Sequence, residues 1–180
     1  DGIDDLIVSA PSRDDLFSGQ GAVLVFRASD DWLTTPAGPA KTFIGPQTSG
    51  FALGASLAVG DIDNDALADL LVGSTSGNGQ VYIYRGSTRD WSQPIRTTPD
   101  FFITGESNGD RFGFSIDVNG DVDADGIDDL VVGAYRNGPG GAAYVYASSD
   151  TWWTQLTPAF SAKVAAENES DQFGVSVSTL

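Results

Sequence analysis

The sequence predicts an all-β fold of β-propeller blades, each of four antiparallel strands, with about three blades in its 180 residues. A motif recurs at long period. Leu53-Gly-Ala-Ser-Leu57, Phe112-Gly-Phe-Ser-Ile116 and Phe173-Gly-Val-Ser-Val177 coincide at steps of 59 and 61 residues, and self-similarity at a fixed period marks a repeat architecture. Between copies, short β-rich runs alternate with Gly, Asp and Ser turns, the pattern of strands. No segment carries a 3.6-residue apolar period, so almost no helix is expected.

Each unit supplies its strands in the same order. The motif opens the first strand, and an Asp cluster follows it. Next come a short apolar run (Leu6–Val8, Leu70–Gly73, Leu130–Gly133), a Gly-rich turn and an alternating run (Ala22–Phe26, Val81–Tyr84, Ala143–Tyr146). A fourth run closes the unit at Lys41–Gly45, Phe101–Gly105 and Phe160–Val164. The blade units are placed at 1–45, 51–105 and 112–165, with 173–180 as the first strand of a further blade. Connections between third and fourth runs echo one another at Trp32, Trp91 and Trp152, which are expected to cap the rim of each blade core. Radial packing buries both faces of such sheets, and a ring takes four to eight of them. Closure is therefore expected from the remaining blades of a longer chain or from a second copy. In the second case Phe173–Ser178 of one copy would pair with Asp5–Ala10 of the other.

The 9 Lys+Arg against 25 Asp+Glu give a formal charge of −16, which repels polyanions, so no nucleic-acid partner is expected. Among the acids only Glu106, Glu167 and Glu169 are glutamate; the rest are Asp, which favours turns and short metal loops. With no Cys and no His, disulfides, thiol nucleophiles, His-based triads and His-ligated zinc are excluded. There is no run of 18 apolar residues, so membrane insertion is not expected. Asn168-Glu-Ser170 fits the N-glycosylation pattern, and Gly138–Gly141 is a turn rather than a phosphate cradle.

The chemistry lies in the Asp clusters. Asp61-Ile-Asp63-Asn-Asp65-Ala-Leu67-Ala-Asp69 and Asp121-Val-Asp123-Ala-Asp125-Gly-Ile127-Asp-Asp129 place carboxylates at positions 1, 3, 5 and 9, and Asp1-Gly-Ile3-Asp-Asp5 is the second half of another copy. Four carboxylates on one tight turn repel unless a cation offsets them. Oxygen donors without N or S select a hard ion, and flexible carboxylates plus a backbone carbonyl (Leu67, Ile127 or Ile3) suit Ca2+. An EF-hand would need a bidentate Glu at the twelfth position, where Val72 and Val132 stand. Gly126 permits a turn that Ala66 resists, so loop 121–129 is expected to bind more tightly. The partial loop, with only Asp1 and Asp5, is expected to bind poorly. A solvated acidic turn without metal is the plain alternative. Paired catalytic carboxylates need a cleft and a set separation, whereas these converge on one point in every repeat.

Phe112-Gly113 and Phe173-Gly174, with Gly133-Ala134-Tyr135 and Ser9-Ala10-Pro11 further along their repeats and the Asp loops between, resemble the FG-GAP repeats of integrin α-subunit propellers and their bacterial relatives. Leu53 in place of Phe, Gly73-Ser74-Thr75 without Pro, and Ala66 in place of Gly depart from that pattern. The resemblance implies four-stranded blades with Ca2+ loops on one face and ligand contacts on the opposite face. A protein or glycan ligand would meet loops 11–19, 75–79 and 135–141, joined by 46–52, 105–111 and 166–172. There Arg13, Arg111, Arg136 and Tyr135 are the side chains most able to anchor it. The expected function is a non-catalytic, Ca2+-stabilised binding or adhesion scaffold. It is expected to be secreted or on the cell surface, where Ca2+ is millimolar. Two other readings stay open: the propeller of a larger secreted hydrolase or lyase, and a lectin. A lectin needs the same polar and aromatic set in each upper loop, and these loops differ in length and residue type.

Overall fold

The computed structural model describes residues 4–14, 17–28, 38–86, 93–149 and 160–179. Asp1, Ile3, Trp32, Trp91 and Trp152 lie outside the described residues. Within them there is no helix, and the strands are β1 (Leu6–Ala10), β2 (Ala22–Phe26), β3 (Lys41–Ile44), β4 (Leu57–Gly60), β5 (Asp69–Ser74), β6 (Gln80–Tyr84), β7 (Ile95–Arg96), β8 (Phe101–Thr104), β9 (Ser115–Gly120), β10 (Asp129–Ala134), β11 (Ala142–Tyr146) and β12 (Ala162–Ala165). They form three four-stranded sheets, ordered β1-β2-β3-β7, β4-β5-β6-β8 and β9-β10-β11-β12. The expected blades are present. The chain divides into two compact units, residues 1–54 with 87–98 and residues 55–86 with 99–180.

In the first unit β1, β2 and β3 form an antiparallel meander, in register from Leu6↔Phe26 and Ala22↔Ile44. The fourth place is taken by β7, which runs parallel to β3 with Thr42↔Ile95. The Thr42 N–H donates to the Pro94 carbonyl at 2.8 Å. This two-residue strand departs from the expected antiparallel blade, and it satisfies backbone groups on the edge of β3 away from β2. Ala22, Val23, Val25, Phe43, Phe51 and Leu53 are the buried apolar residues among those described here.

The second unit holds two blades, both antiparallel throughout. Every residue of β5 and of β10 is buried, so these middle strands are covered on both faces and read as continuous apolar runs rather than alternating ones. Leu71, Ile83, Val118, Leu130 and Val132 form the core with Phe112. The Phe112 ring meets Tyr144 edge-on at 5.3 Å and Tyr146 at 6.3 Å, the favoured aromatic geometry.

The repeated motif has a steric reason. Gly79 forms a parallel bridge with Phe112, Gly141 with Phe173 and, in the first unit, Gly21 with Leu53. A Cβ at these glycines would fall 2.1, 2.3 and 2.4 Å from the partner's carbonyl oxygen, so only glycine allows the approach. The motif serine then links one copy to the next: Ser56 Oγ donates to the Gly113 carbonyl at 2.6 Å, and Ser115 Oγ to the Gly174 carbonyl at 2.8 Å.

At the fourth-strand exit the contact is conserved by exchange. The Gly105 N–H donates to Gly79 O and the Ala166 N–H to Gly141 O, both at 3.0 Å. A Cβ on Gly105 would lie 2.5 Å from Asn78 O, whereas Ala166 carries one because it faces Gly140.

From Leu53 to Asp61 the chain takes eight steps, and from Phe112 to Asp121 nine. The extra residue becomes a bulge in the β9–β10 ladder between Asp129 and Val131, where β4–β5 pairs without a break. Both strands still deliver an Asp loop at the same end.

Candidate metal centre: the aspartate loops

Hydrogen bonds within the two complete loops follow one plan. The first carboxylate caps the turn: Asp61 accepts from the N–H groups of Asp65 (3.1 Å) and Ala66 (2.8 Å), and Asp121 from those of Asp125 (3.0 Å) and Gly126 (2.8 Å). The fifth accepts two residues on, Asp65 from Leu67 (2.9 Å) and Asp125 from Ile127 (2.8 Å), the turn habit of Asp. The ninth is fully buried and ties the loop to the exit of the third strand. Asp69 accepts from Ile62 (3.2 Å) and Gly86 (2.7 Å), and Asp129 from Val122 (2.7 Å), Asp123 (3.2 Å) and Ser148 (2.8 Å). Asp5 of the partial loop makes the matching bond from the Ala28 N–H at 3.0 Å. Position 9 is thus a structural acceptor, a role the sequence reading gave only to metal binding.

The backbone enters the left-handed region twice per loop, at Asn64 (φ 57°) and Ala66 (φ 66°), and at Ala124 (φ 64°) and Gly126 (φ 92°). The expectation that position 6 needs positive φ holds. Position 4 needs it too, and there loop 61–69 has the better residue, since Asn tolerates this region more readily than Ala. Each loop carries one strained alanine, so the glycine advantage expected for loop 121–129 is largely cancelled.

One oxygen each of Asp61, Asp63 and Asp65 lies within 4.8 Å of the others, and the same holds for Asp121, Asp123 and Asp129. Asp69 and Asp125 stand apart from these triplets, their oxygens accepting backbone N–H groups. The third position separates the loops. Asp123 accepts from the Asp125 N–H at 3.2 Å. Both oxygens of Asp63 are buried and reached by no backbone donor; the group facing them is the Arg85 guanidinium, ion-paired to Asp63 and 3.5 Å from Asp65 Oδ2. Sequence reasoning missed Arg85. The signal lies at the third-strand exits, Phe26-Arg27, Tyr84-Arg85 and Tyr146-Ala147, where the last copy has no charge.

The electrostatics record the crowding. Burial pushes Asp63 up, Arg85 opposes it, and Asp65 and Asp61 add to it. Burial pushes Asp69 up to about 7, against the Gly86 N–H bond and with the Asp63 charge. Asp123 is raised by lost hydration and then by Asp125 and Asp129. Asp128 is raised by burial and then by Asp61 and Asp121, so the two loops lie near enough to feel one another. Oxygen-only donors that resist joint ionisation fit a hard divalent cation. The fit is good for loop 121–129, where among the described residues no ion pair neutralises the carboxylates. Loop 61–69 has the same donors with a guanidinium already among them.

Of the side chains expected to anchor a partner, Arg111 has φ 60° and donates to the Thr75 carbonyl at 3.0 Å, which commits it to loop structure. Arg136 lies 5.4 Å over the Tyr135 ring, which in turn meets Phe114 at 4.5 Å. Tyr135 and Arg136 line an open pocket of about 220 Å³ with Pro139, Ser170 and Gln172. Among the described residues no helix is long and apolar enough to cross a membrane.

Residues 53–84 match the FG-GAP repeat model. The chain is 36% identical over 140 residues to mouse (Mus musculus) integrin alpha-7, covering 72% of this chain and 11% of that protein. It is 34% identical over 145 residues to human (Homo sapiens) integrin alpha-IIb, covering 75% and 14%. To integrin alpha-PS5 of Drosophila melanogaster it is 33% identical over 157 residues, covering 81% and 14%. It therefore spans about a seventh or less of the length of these relatives.

Proposed function

We propose that this chain, which carries integrin-like FG-GAP repeats in β-propeller blades, is a non-catalytic, Ca2+-stabilised scaffold for binding and adhesion outside the cell. The observation behind this reading is the pair of loops in which aspartates converge without ionising comfortably. Asp121, Asp123, Asp125 and Asp129, with the Ile127 carbonyl, would hold the tighter ion. Asp61, Asp63, Asp65 and Asp69, with the Leu67 carbonyl, would hold the weaker one. Bound Ca2+ supplies charge that offsets carboxylate repulsion; the loops do the rest. Asp61 and Asp121 shape the turn, and Asp69 and Asp129 fasten it to the third strand, so the ion would staple two strands of a blade. The repeat units at 1–45, 51–105 and 112–165, with 173–180 leading into the next, would be completed by further blades or a second copy. A protein or glycan partner would meet the pocket at Tyr135 and Arg136. An extracellular setting agrees with the integrin relatives and with sites that fill at millimolar Ca2+.

The test is thermal unfolding in millimolar Ca2+ and in excess EGTA. A ligand at a hundredfold excess over Kd adds about 2.7 kcal/mol to native-state stability, so the melt should rise with Ca2+. A melting temperature that does not move overturns the proposal.

A further inference from the structure

We infer that the Arg85 guanidinium is a built-in counter-ion of loop 61–69, competing with Ca2+ for Asp63 and Asp65, so that this loop keeps its folded shape without metal and loop 121–129 does not. The inference deepens the calcium reading above and rests on it for its competition half. Placement comes from the sheet. The pairing Leu70↔Tyr84 brings the end of β6 level with the end of the loop, and the Gly86 N–H bond to Asp69 fixes the chain just past Arg85. The guanidinium then reaches back to Asp63 and Asp65.

The pair is more than a surface contact. The Asp63 side chain is 1% exposed and that of Arg85 40%. An exposed ion pair contributes little, but a buried carboxylate without a partner is strongly disfavoured. Arg85 meets that need for Asp63, whose other charged neighbours, Asp61 and Asp65, are of like sign. In loop 121–129 the corresponding residue is Ala147, whose N–H goes to Ser161 Oγ at 3.0 Å. There Asp123, Asp125 and Asp129 face one another with no cation at that place. A metal entering loop 61–69 must displace a charge already bound; one entering loop 121–129 need not.

Isothermal titration of the EGTA-stripped 180-residue chain with CaCl2, paired with melting in EGTA, tests this on wild type, Arg85→Ala and Ala147→Arg. Arg85→Ala should tighten the weaker site about tenfold, the scale of one close charge near a protein surface, and lower the melting temperature in EGTA. Ala147→Arg should weaken the tighter site by a similar factor. If Arg85→Ala leaves both the weaker Kd and the EGTA melt unchanged, the inference is overturned. If no protein binds Ca2+ yet Arg85→Ala still melts lower, the calcium reading fails and the counter-ion role stands. Should Arg85→Ala not fold, Arg85→Gln takes its place. It keeps much of the side chain's length and removes the charge, and a Kd of the weaker site equal to wild type together with an unmoved EGTA melt would again overturn the inference.

Discussion

Loops 61–69 and 121–129 share a backbone plan, the same capping bonds and a buried ninth aspartate, yet among the described residues one meets a cationic side chain from within the chain and the other does not. Asp63 faces Arg85, while the corresponding strand exit after Tyr146 offers Ala147. The lesson is that carboxylate spacing sets the shape of such a loop, and a residue just past another strand sets what charge its carboxylates meet. Strain does not separate them, because Ala66 in one is matched by Ala124 in the other.

The largest expected effect is shared by both loops. Asp129→Ala would strand the N–H groups of Val122, Asp123 and Ser148, and Asp69→Ala those of Ile62 and Gly86. Of these donors the Ser148 and Ile62 N–H groups are buried, and an unsatisfied buried donor costs about 1–3 kcal/mol, so each variant should lose about that much in urea unfolding in EGTA. A silent Asp69→Ala would break the claim that position 9 is scaffold in both loops.

Next are the alanines at positive φ. Ala66→Gly and Ala124→Gly should each gain up to about 1 kcal/mol, and Gly126→Ala should lose about as much. Urea midpoints at constant m measure all three. Equal gains at 66 and 124 would sharpen the comparison by removing strain as a cause of the difference. A gain at 66 alone would return the difference to Gly126.

How much of this was legible in the sequence depends on range. The repeat, the strand order and the Asp spacing are local patterns, and each led to the right element. The positive φ at Ala66 was legible from the Gly126 that replaces it one repeat later. Arg85 was not, because it lies 20 residues beyond Asp65 and reaches the loop only through the Leu70↔Tyr84 register. The parallel pairing Thr42↔Ile95 was equally hidden, since two residues carry no periodicity of their own. The Ser56 and Ser115 bonds to Gly113 and Gly174 span 57 and 59 residues and depend on how neighbouring copies stack.

The smallest expected effect lies away from both loops and serves as their control. Hydrogen bonds from Lys163 (2.5 Å) and Tyr144 (2.8 Å) hold Glu106 below the ordinary glutamate value. A carboxyl lowered in the folded state stabilises above its unfolded value, about 4.3, and that contribution is lost as pH falls through the folded value. Glu106→Gln should therefore lower stability modestly at neutral pH, where that contribution is fully present, and flatten the acid limb so that the two proteins converge as pH falls below about 4.3. Its Ca2+ response should equal that of wild type.

The most direct measurement of the central claim is calorimetric titration of the metal-free chain with Ca2+ in wild type, Asp123→Ala and Asp63→Ala. Two classes of site are expected in wild type. Asp123→Ala should remove the tighter class and Asp63→Ala only the weaker. Loss of the tighter class through Asp63→Ala, with Asp123→Ala binding as wild type, would contradict the assignment of loop 121–129 as the principal metal site.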